Sequence, residues 1–368
     1  MSLFPHAGSA NAADASARPS DLGLAASGTP SDVVVVTAAD DRYALPLAVT
    51  VRSALDRLGA TRRLQLYVLD GGVSAESKRR LEASWRDPRL TLHWMTPSLD
   101  LVRDLVVSEH VNIVTYLRLL MPAVLPESVT RAIYMDADML VCRDLGALWD
   151  EPQGGHAVLA VADVAAPYLD SATALPTYHR CCRHLAAITP IVNFRELGLR
   201  GDAKYFNGGL LVADIAQWRR EGLAQRMLAC LREHRSHVLW WDQYALNVVL
   251  ADQWRELDAR WNQGAHLFVF PSWRESPLER AAYNRLRNDP WIVHFCSPSK
   301  PWHYFCRHPF TSEFRRCAAT TAWADWRPER PPRFASKWWD FHYQPLRSQW
   351  KTHVRAAKRA LGYRRRAA

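Results

Sequence analysis

The feature that most constrains the fold is an apolar stretch that ends in two closely spaced carboxylates. Residues 133–135 predict a buried strand, and Asp136 and Asp138 follow it directly. An apolar run that breaks into acidic residues indicates a strand leaving the core at the edge of a sheet. In open α/β sheets, that edge is where ligands bind.

The same two carboxylates predict a divalent cation. Residues i and i+2 of an extended chain point to the same side, so Asp136 and Asp138 face one ligand together. Hard oxygen donors suit Mg²⁺ or Mn²⁺, which usually complete their coordination shell with phosphate oxygens. A solvated turn with two helix-capping Asp residues is the alternative, because an isolated Asp-X-Asp is a weak signal.

The segment before the carboxylates predicts a parallel sheet with crossover helices. Apolar runs at 32–36, 64–69 and 90–95 predict strands, and helical patterns over 43–58 and 74–85 separate them. This alternation is typical of a wound α/β sheet. The first turn lacks Gly-X-Gly-X-X-Gly, which argues against a dinucleotide-binding fold of the dehydrogenase type.

Later segments are less regular. A helix is predicted to start at Thr115 and to stop at Pro122, and a further helix is predicted over 218–234. Residues 164–204 have no clear periodicity. A long irregular segment inside a compact domain is often a lid or a substrate loop.

Composition divides the chain into four parts. We expect a disordered leader over 1–30, one α/β domain over 31–310, a helical extension over 311–326 and a basic aromatic tail over 327–368. The tail holds 12 of the 47 Lys and Arg residues but only 2 of the 37 Asp and Glu residues. It therefore carries the whole net charge of +10, and the rest of the chain is neutral.

The tail predicts contact with an anionic membrane surface. Trp350, Val354, Ala357 and Leu361 fall at helical spacing among Lys and Arg residues, and a basic amphipathic helix with Trp suits the headgroup layer. A solvated, partly disordered tail is the alternative. Nucleic-acid binding is disfavoured, because it predicts a basic groove on the main domain.

Other sequence features predict the compartment. The seven cysteines include no Cys-X-X-Cys pair, which indicates a reducing compartment. No run of 18 apolar residues and no signal-peptide pattern is present. Together with the basic tail, these features predict a cytoplasmic protein attached peripherally to the inner face of the cytoplasmic membrane.

Four motifs in order resemble glycosyltransferase family 8. They are Asp-Val-Val-Val-Val-Thr-Ala-Ala-Asp-Asp-Arg-Tyr (32–43), Tyr-Met-Asp-Ala-Asp-Met-Leu-Val (134–141), Tyr-Phe-Asn-Gly-Gly (205–209) and His-Phe-Cys-Ser-Pro-Ser-Lys-Pro-Trp (294–302). This family includes bacterial lipopolysaccharide galactosyl- and glucosyltransferases, and glycogenin. The resemblance implies a single GT-A-type domain and retaining transfer of galactose or glucose from a UDP-sugar to a saccharide or glycolipid such as lipopolysaccharide. It also implies a Mn²⁺ cofactor, or Mg²⁺ in its place.

The resemblance also assigns residues to roles. It implies that the metal is held by Asp136, Asp138 and His294. It implies that the nucleotide is held by Ala38, Asp40, Ala137, Ser297 and Lys300. It implies that the donor sugar is held by Arg118, Asp163 and Asn207. It places two catalytic candidates below the anomeric carbon, Asp242 and Gln243.

Plainer structural roles exist for several of these residues. His294 could be a satisfied core histidine and Lys300 a surface lysine. Asp40 and Asp242 could cap helices, and Arg118 could be a solvated helix residue. Asn207 could form a turn.

Some positions depart from the family pattern. Arg42 stands where relatives often carry Asn, Ser297 where many have Gly, and Tyr244 where some have Asp. A nucleotidyltransferase, which would share the paired carboxylates, is the second candidate class. It normally has a basic Gly-rich phosphate loop near the first strand, and residues 37–43 supply acids and small residues instead.

Overall fold

A computed structural model describes residues 32–106 and 113–343. The predicted leader lies outside the described residues, as do the tail from residue 344 onward and its predicted amphipathic spacing. Among the described helices, none is both long enough and apolar enough to cross a membrane. All seven cysteines are described, and none forms a disulfide.

The described residues form ten strands in two sheets. The strands are β1 Val33–Ala39, β2 Leu64–Asp70, β3 Leu90–Met95, β4 Arg131–Met135, β5 Met139–Val141, β6 Val158–Ala162, β7 Phe206–Asp214, β8 Trp254–Glu256, β9 Gln263–Gly264 and β10 Ile292–His294. The larger sheet has the order β3-β2-β1-β4-β7-β6-β8, and the smaller one has the order β5-β10-β9.

Besides these sheets, the described part of the chain contains eleven α-helices within residues 44–318 and several 3-10 turns. The helices are α1 Ala44–Arg57, α2 Ala75–Ser84, α3 Met121–Val124, α4 Leu145–Trp149, α5 Ser171–Ala174, α6 Tyr178–Cys181, α7 Ile215–Arg220, α8 Leu223–Glu233, α9 Trp241–Val249, α10 Arg280–Asn288 and α11 Thr311–Ala318. The 3-10 turns are Asp41–Tyr43, Leu99–Leu101, Ile113–Leu120, Cys182–His184, Arg235–His237, Ala259–Asn262, Ala265–Val269 and Trp273–Glu275. Residues 334–343 are also helical.

The predicted mostly parallel central sheet is confirmed. Strand β1 runs parallel to both β2 and β4, whereas β7 is antiparallel to β4 and β6. Both faces of β1 are covered, because Val35 packs into one hydrophobic core and Val36 into the other. This two-sided burial explains why the first strand is uniformly apolar.

Two predicted helices differ from those observed. The helix predicted from Thr115 to Pro122 is instead the 3-10 segment Ile113–Leu120, followed by the short helix α3, which continues to Val124 with Pro122 in its first turn. A proline is tolerated there because its missing N–H has no partner within the helix. The helix predicted over 218–234 is two helices, α7 and α8, separated by Gly222 at a φ of +59°.

The smaller sheet positions the last predicted motif. Strand β5 starts immediately after Asp138, and β10 pairs antiparallel to it with His294 opposite Met139. This pairing brings a residue from the end of the domain to the carboxylates at the end of β4. The first part of the predicted helical extension is α11, which contacts α1 through Cys317 Sγ and the carbonyl oxygen of Val49.

Candidate active site

The turn that carries the two carboxylates is fixed by the helix beneath it. The Thr50 hydroxyl, from α1, lies 2.8 Å from the carbonyl oxygens of both Ala137 and Met139. It also accepts the Met139 N–H at 3.0 Å. On the other side, the Asp136 N–H donates to the Gly209 carbonyl oxygen of β7 at 2.8 Å. The backbone that presents both carboxylates is therefore held by hydrogen bonds on two sides.

Asp136, Asp138 and His294 form a compact cluster of potential metal ligands. One donor atom from each lies within 4.8 Å of the others. The Nε2 atom of His294 is 3.5 Å from Asp136 Oδ2 and 3.3 Å from Asp138 Oδ1. Two carboxylate oxygens and one imidazole nitrogen suit a divalent cation such as Mn²⁺. The donor set therefore fits a metal ion.

Lys300 borders this cluster. Its Nζ donates to Asp138 Oδ2 at 2.6 Å and to the Phe295 carbonyl oxygen at 2.6 Å. Burial opposes ionisation of Asp138, but Lys300 and His294 outweigh it and lower the pKa of that carboxyl. Burial likewise opposes the charge on Lys300, yet Asp138 raises the pKa of the ammonium above its ordinary value. The lysine thus stays charged next to the carboxylates.

His294 is 3% exposed and carries a raised pKa. Burial favours its neutral form, but Cys296 and the two carboxylates outweigh burial. The surrounding negative charge therefore favours the protonated imidazole, at the place where a cation would be bound. Metal binding to such a site releases that proton.

Arg118 links the carboxylates to a buried acid. Its Nη2 lies 2.9 Å from Asp136 Oδ1 and its Nε lies 2.8 Å from Asp242 Oδ2. The Nε–H is aligned with the carbonyl oxygen of Thr115 at 3.0 Å, so Asp242 Oδ2 has the arginine's charge nearby but lacks an aligned donor. With Arg118 only 5% exposed, the solvated-helix alternative for it is wrong.

The buried position of Asp242 changes its ionisation. Burial raises the pKa of Asp242 to about 6, and the neighbouring Arg118 offsets this only in part. Its Oδ1 accepts the Thr115 hydroxyl at 3.0 Å.

The amide side chains of two predicted site residues, Asn207 and Gln243, meet at the carboxylate of a third, Asp163. Asp163 Oδ2 accepts from Asn207 Nδ2 and from Gln243 Nε2, each at 3.1 Å. Gln243 Oε1 in turn accepts the Gly208 N–H at 3.0 Å. These bonds fix the Gln243 amide in one orientation.

All of the residues assigned through the resemblance line one cavity of about 630 Å³. They include Asp40, whose carboxylate also caps the Asp41–Tyr43 turn and lies 2.9 Å from Arg42 Nε. Asp40 therefore caps a helical turn, as its alternative structural role predicts, and it also lines the cavity. Ser297 donates to the carbonyl oxygen of Ser299 at 3.0 Å from the same wall.

The cavity wall also contains residues that the sequence did not single out. Trp240 and His266 line it, and Asn262 lies buried behind His294. None belongs to a local motif that indicates a ligand. Ala165 and Ala186, from the irregular segment 164–204, also line the cavity, and the role of that segment as a substrate loop stays a prediction.

A model of glycosyl transferase family 8 matches residues 34–306. The chain belongs to this family. This membership removes the nucleotidyltransferase alternative and confirms the resemblance found in the four motifs. A family 8 chain is a glycosyltransferase, so the cavity with its carboxylates is the candidate active site of such an enzyme.

Known proteins similar to this family 8 chain include several from bacteria. General stress protein A of Bacillus subtilis is 30% identical over 292 residues, which cover 78% of this chain and 94% of that protein. Lipopolysaccharide 1,3-galactosyltransferase of Salmonella typhimurium is 21% identical over 287 residues, 77% of each. The crystal structure of the galactosyltransferase LgtC in complex with donor and acceptor sugar analogs has a TM-score of 0.64 at 21% identity. The superposition covers 83% of this chain and 100% of the LgtC chain, and this likeness confirms the GT-A-type fold.

Proposed function

We propose that the protein transfers galactose or glucose from a UDP-sugar to a hydroxyl group of a saccharide or glycolipid acceptor, with retention of the α configuration. The observation that carries this proposal is the cavity, in which a buried Asp-Asp-His cluster lies beside a charged lysine and a fixed amide. Lipopolysaccharide or a related surface glycan fits as the acceptor, because similar family 8 enzymes include a lipopolysaccharide galactosyltransferase.

The metal site in this proposal consists of Asp136, Asp138 and His294. A divalent cation held there, with Mn²⁺ as our first choice, would supply a Lewis acid that neutralises charge on the departing diphosphate. Lys300 would add a fixed positive charge beside the same diphosphate. Its short contact with Asp138 supports this role, because it holds the ammonium at the cavity wall.

The nucleotide would lie along the carboxyl end of β1. Ala38 and Ala137 are small residues that let a base and a ribose approach the backbone, and Asp40 would accept the uracil N–H. Ser297 would contact the diphosphate. All four line the same cavity as the metal cluster, which supports a continuous nucleotide site.

The donor sugar would lie between Arg118 and the carboxylate of Asp163. Arg118 would contact the sugar and the diphosphate, while Asn207 and Asp163 would hydrogen-bond the sugar hydroxyls. Asp242 and Gln243 would face the anomeric carbon from below. An amide that is fixed by Gly208 and Asp163 places a defined dipole there.

Retention fits front-face attack better than a covalent intermediate. Gln243 is an amide and a poor nucleophile, and Asp242 is tied to Arg118 and Thr115. Tyr244 stands where some relatives have Asp, so this position supplies no carboxylate. Its side chain is fully buried and its hydroxyl donates to Asn193 at 2.8 Å. In front-face attack, the acceptor oxygen bonds to C1 as the C1–O bond to UDP breaks, and the acceptor proton passes to the leaving phosphate.

We also propose that the C-terminal region holds the enzyme at the inner face of the cytoplasmic membrane, where a lipid-linked acceptor would lie. The described helix 334–343 supports this proposal. It exposes Trp338, Trp339 and Tyr343 by 40%, 58% and 40%, and Lys337 lies on the same helix. Exposed aromatic rings beside basic residues suit the headgroup layer of an anionic membrane.

Donor hydrolysis by the purified chain tests this function. We expect Mn²⁺ to support UDP release from one of UDP-galactose and UDP-glucose, and EDTA to abolish it. Asp138→Ala should remove the activity while the circular dichroism spectrum is unchanged, whereas Asp325→Ala, at an exposed carboxylate, should keep it. Undiminished release in EDTA would overturn the metal site. Thermal stabilisation by another nucleotide, without release from any UDP-sugar, would overturn the donor.

A further inference from the structure

A chain of side-chain hydrogen bonds joins the proposed metal site to the proposed sugar site. Asn262 Oδ1 lies 2.9 Å from His294 Nδ1, and Asn262 Nδ2 donates to Asn207 Oδ1 at 3.0 Å. Asn207 Nδ2 then donates to Asp163 Oδ2 at 3.1 Å. Asn262 is 5% exposed and does not line the cavity, so it reaches a ligand only through these neighbours.

One backbone group fixes the direction of every bond in this chain. The Gly209 N–H donates to the Asn207 side chain at 3.0 Å, and a backbone N–H has no acceptor role. The Asn207 atom facing it is therefore the oxygen. Asn262 must present its NH₂ group to that oxygen, which turns its own oxygen toward His294.

The other end of the hydrogen-bond chain, at Asp163, requires the same donor and acceptor assignment. The Asp163 carboxylate accepts hydrogen bonds from the Ala165 N–H at 2.9 Å and from Gln243 Nε2, so it needs donors around it. A flipped Asn207 would place its oxygen against this carboxylate and its NH₂ group against the Gly209 N–H. Both contacts would be repulsive, so only one arrangement satisfies both ends.

For His294, this arrangement fixes a proton on the Nδ1 atom. Since Asn262 presents an oxygen to Nδ1, that nitrogen carries a hydrogen and donates it. The Nε2 atom is the one directed at Asp136 and Asp138. A histidine that ligates a metal through one nitrogen usually donates the other N–H to such a partner, which fixes the tautomer and the ring orientation.

The backbone of Asn262 is rigidly placed for this task. It ends the Ala259–Asn262 turn and directly precedes β9, which pairs parallel to β10 with Gly264 opposite His294. Asn262 therefore directly precedes the strand that pairs with the strand of His294.

We propose that Asn262 is a positioning residue that holds His294 as a metal ligand through Nε2 and couples this ligand to the Asn207–Asp163 pair on the sugar side. This inference rests on the proposed function, because it assigns an orienting partner to the proposed metal site. Its two hydrogen bonds have separate consequences. The bond to His294 sets the affinity for the cation, and the bond to Asn207 sets the position of the donor sugar.

Two substitutions separate these bonds. Asn262→Ala removes both, and we expect it to weaken Mn²⁺ binding by about 10–100-fold, the usual effect of losing an orienting partner. Asn262→Asp has nearly the same shape and still accepts from Nδ1–H, but it cannot donate to Asn207. We expect it to bind Mn²⁺ at least as tightly as the native protein. Its kcat/KM for the UDP-sugar should fall about tenfold, which is the effect of losing one strong hydrogen bond.

Electron paramagnetic resonance of free Mn²⁺, titrated with full-length protein in the presence of UDP, measures the binding directly and independently of turnover. Asn193→Ala is the matched control, since it removes a buried asparagine that contacts Tyr244 and lies outside the hydrogen-bond chain. Its Mn²⁺ affinity should equal that of the native protein.

The outcomes distinguish this inference from the proposed function. A native protein that does not bind Mn²⁺ overturns the proposed metal site itself. Native binding together with an unchanged affinity in Asn262→Ala overturns the positioning role. Should Asn262→Ala fail to fold, Asn262→Asp still decides, because a loss of Mn²⁺ affinity in that variant contradicts the proton arrangement.

Discussion

The Nζ atom of Lys300 lies 2.6 Å from Oδ2 of Asp138, in the wall of the candidate active-site cavity. One cation of the chain therefore already neutralises a carboxylate that is proposed to bind metal. The lysine therefore offsets the repulsion between two neighbouring carboxylates, Asp136 and Asp138, before any metal ion binds. It also predicts that loss of the lysine affects stability and catalysis separately.

Lys300→Met should destabilise the metal-free protein by about 3–5 kcal/mol, because it leaves the buried Asp138 carboxylate without its closest cation. Mn²⁺ should restore more stability in this variant than in the native protein, since the metal would supply the missing positive charge. UDP release should fall about 100-fold or more, as expected when a charge that stabilises the leaving group is removed. Urea denaturation with and without Mn²⁺, and donor hydrolysis, measure the two effects.

Lys204→Met is the matched control for this substitution. Lys204 pairs with Glu256 at 2.5 Å, but both side chains are more than 40% exposed, and such a surface pair contributes less than about 1 kcal/mol. If Lys300→Met proved no more costly in EDTA than Lys204→Met, the neutralising role of Lys300 would be wrong.

Gly209→Ala should disrupt the metal cluster without a change of charge. A methyl group at this position would lie 2.3 Å from His294 Cε1 and 2.8 Å from Asp136 Oδ2, so the imidazole must move. We expect Mn²⁺ affinity to fall about tenfold or more, as when a ligand loses its orientation. Calorimetric titration with Mn²⁺ and UDP measures this effect.

Gly264→Ala is the comparison for this second substitution. A methyl group there meets nothing closer than Cys296 Sγ at 3.4 Å, and Gly264 has a φ of −67°, which alanine adopts readily. Its Mn²⁺ affinity should stay within a factor of two to three of the native value. Equal losses in the two variants would argue against a steric cause.

Asp242 predicts a dependence of stability on pH. Burial raises the pKa of this carboxyl to about 6 from an ordinary value of 3.8, so the folded protein binds more protons than the unfolded chain between these values. Stability therefore falls as pH rises through this window. In metal-free buffer, Asp242→Asn should lose this dependence and gain up to about 3 kcal/mol relative to the native protein between pH 4 and pH 7.

Urea denaturation at pH 3, 4, 5 and 7 measures this difference in the free energy of unfolding. Asp258→Asn provides the opposite sign, because Arg260 holds the pKa of Asp258 below its ordinary value. That carboxylate stabilises the fold above pH 4 and loses its contribution as pH falls. A difference between native and Asp242→Asn that does not vary with pH would contradict the buried, proton-binding state of Asp242.

Short-range patterns predicted much of the fold and part of the site. The apolar runs of β1 and β2 predicted strands because burial on both faces leaves a uniform signal, and β3, an edge strand that is only half-buried, was predicted from its shorter apolar run. The spacing of Asp136 and Asp138 predicted a shared ligand, since two residues of one extended segment have a fixed relation. Gly222 was not recognised as a helix break, because its effect depends on a left-handed φ that composition does not reveal.

The remainder of the site depends on contacts between distant segments. His294 meets Asp138 only through the pairing of β10 with β5, and it entered the predicted site through the family resemblance alone. Asn262 belongs to no motif, and its relation to His294 is set by the register of β9 against β10. Arg118 shows the same limit, since a short helix pattern did not predict that its guanidinium would be buried between Asp136 and Asp242.

Replacement of Trp338 and Trp339 by serine should weaken binding to anionic vesicles. These are the two tryptophans of the helix 334–343, and both are exposed; Trp339 stacks on Tyr343 with ring centroids 3.9 Å apart. Basic residues contribute about 1 kcal/mol each near an anionic leaflet, so the native protein should also release from vesicles at high salt. Co-sedimentation with phosphatidylglycerol-containing vesicles measures binding, and UDP release from the soluble donor should be unchanged in the double variant.

Two comparisons make this last prediction specific. Vesicles of phosphatidylcholine alone should bind the native protein much more weakly, because they lack the negative charge that attracts the basic tail. Val192→Ser, which replaces an apolar side chain that is 56% exposed and lies outside the helix 334–343, should bind anionic vesicles like the native protein. Native protein that stays in the supernatant with anionic vesicles would contradict membrane docking, and equal binding by the double tryptophan variant would exclude the helix 334–343 from the contact.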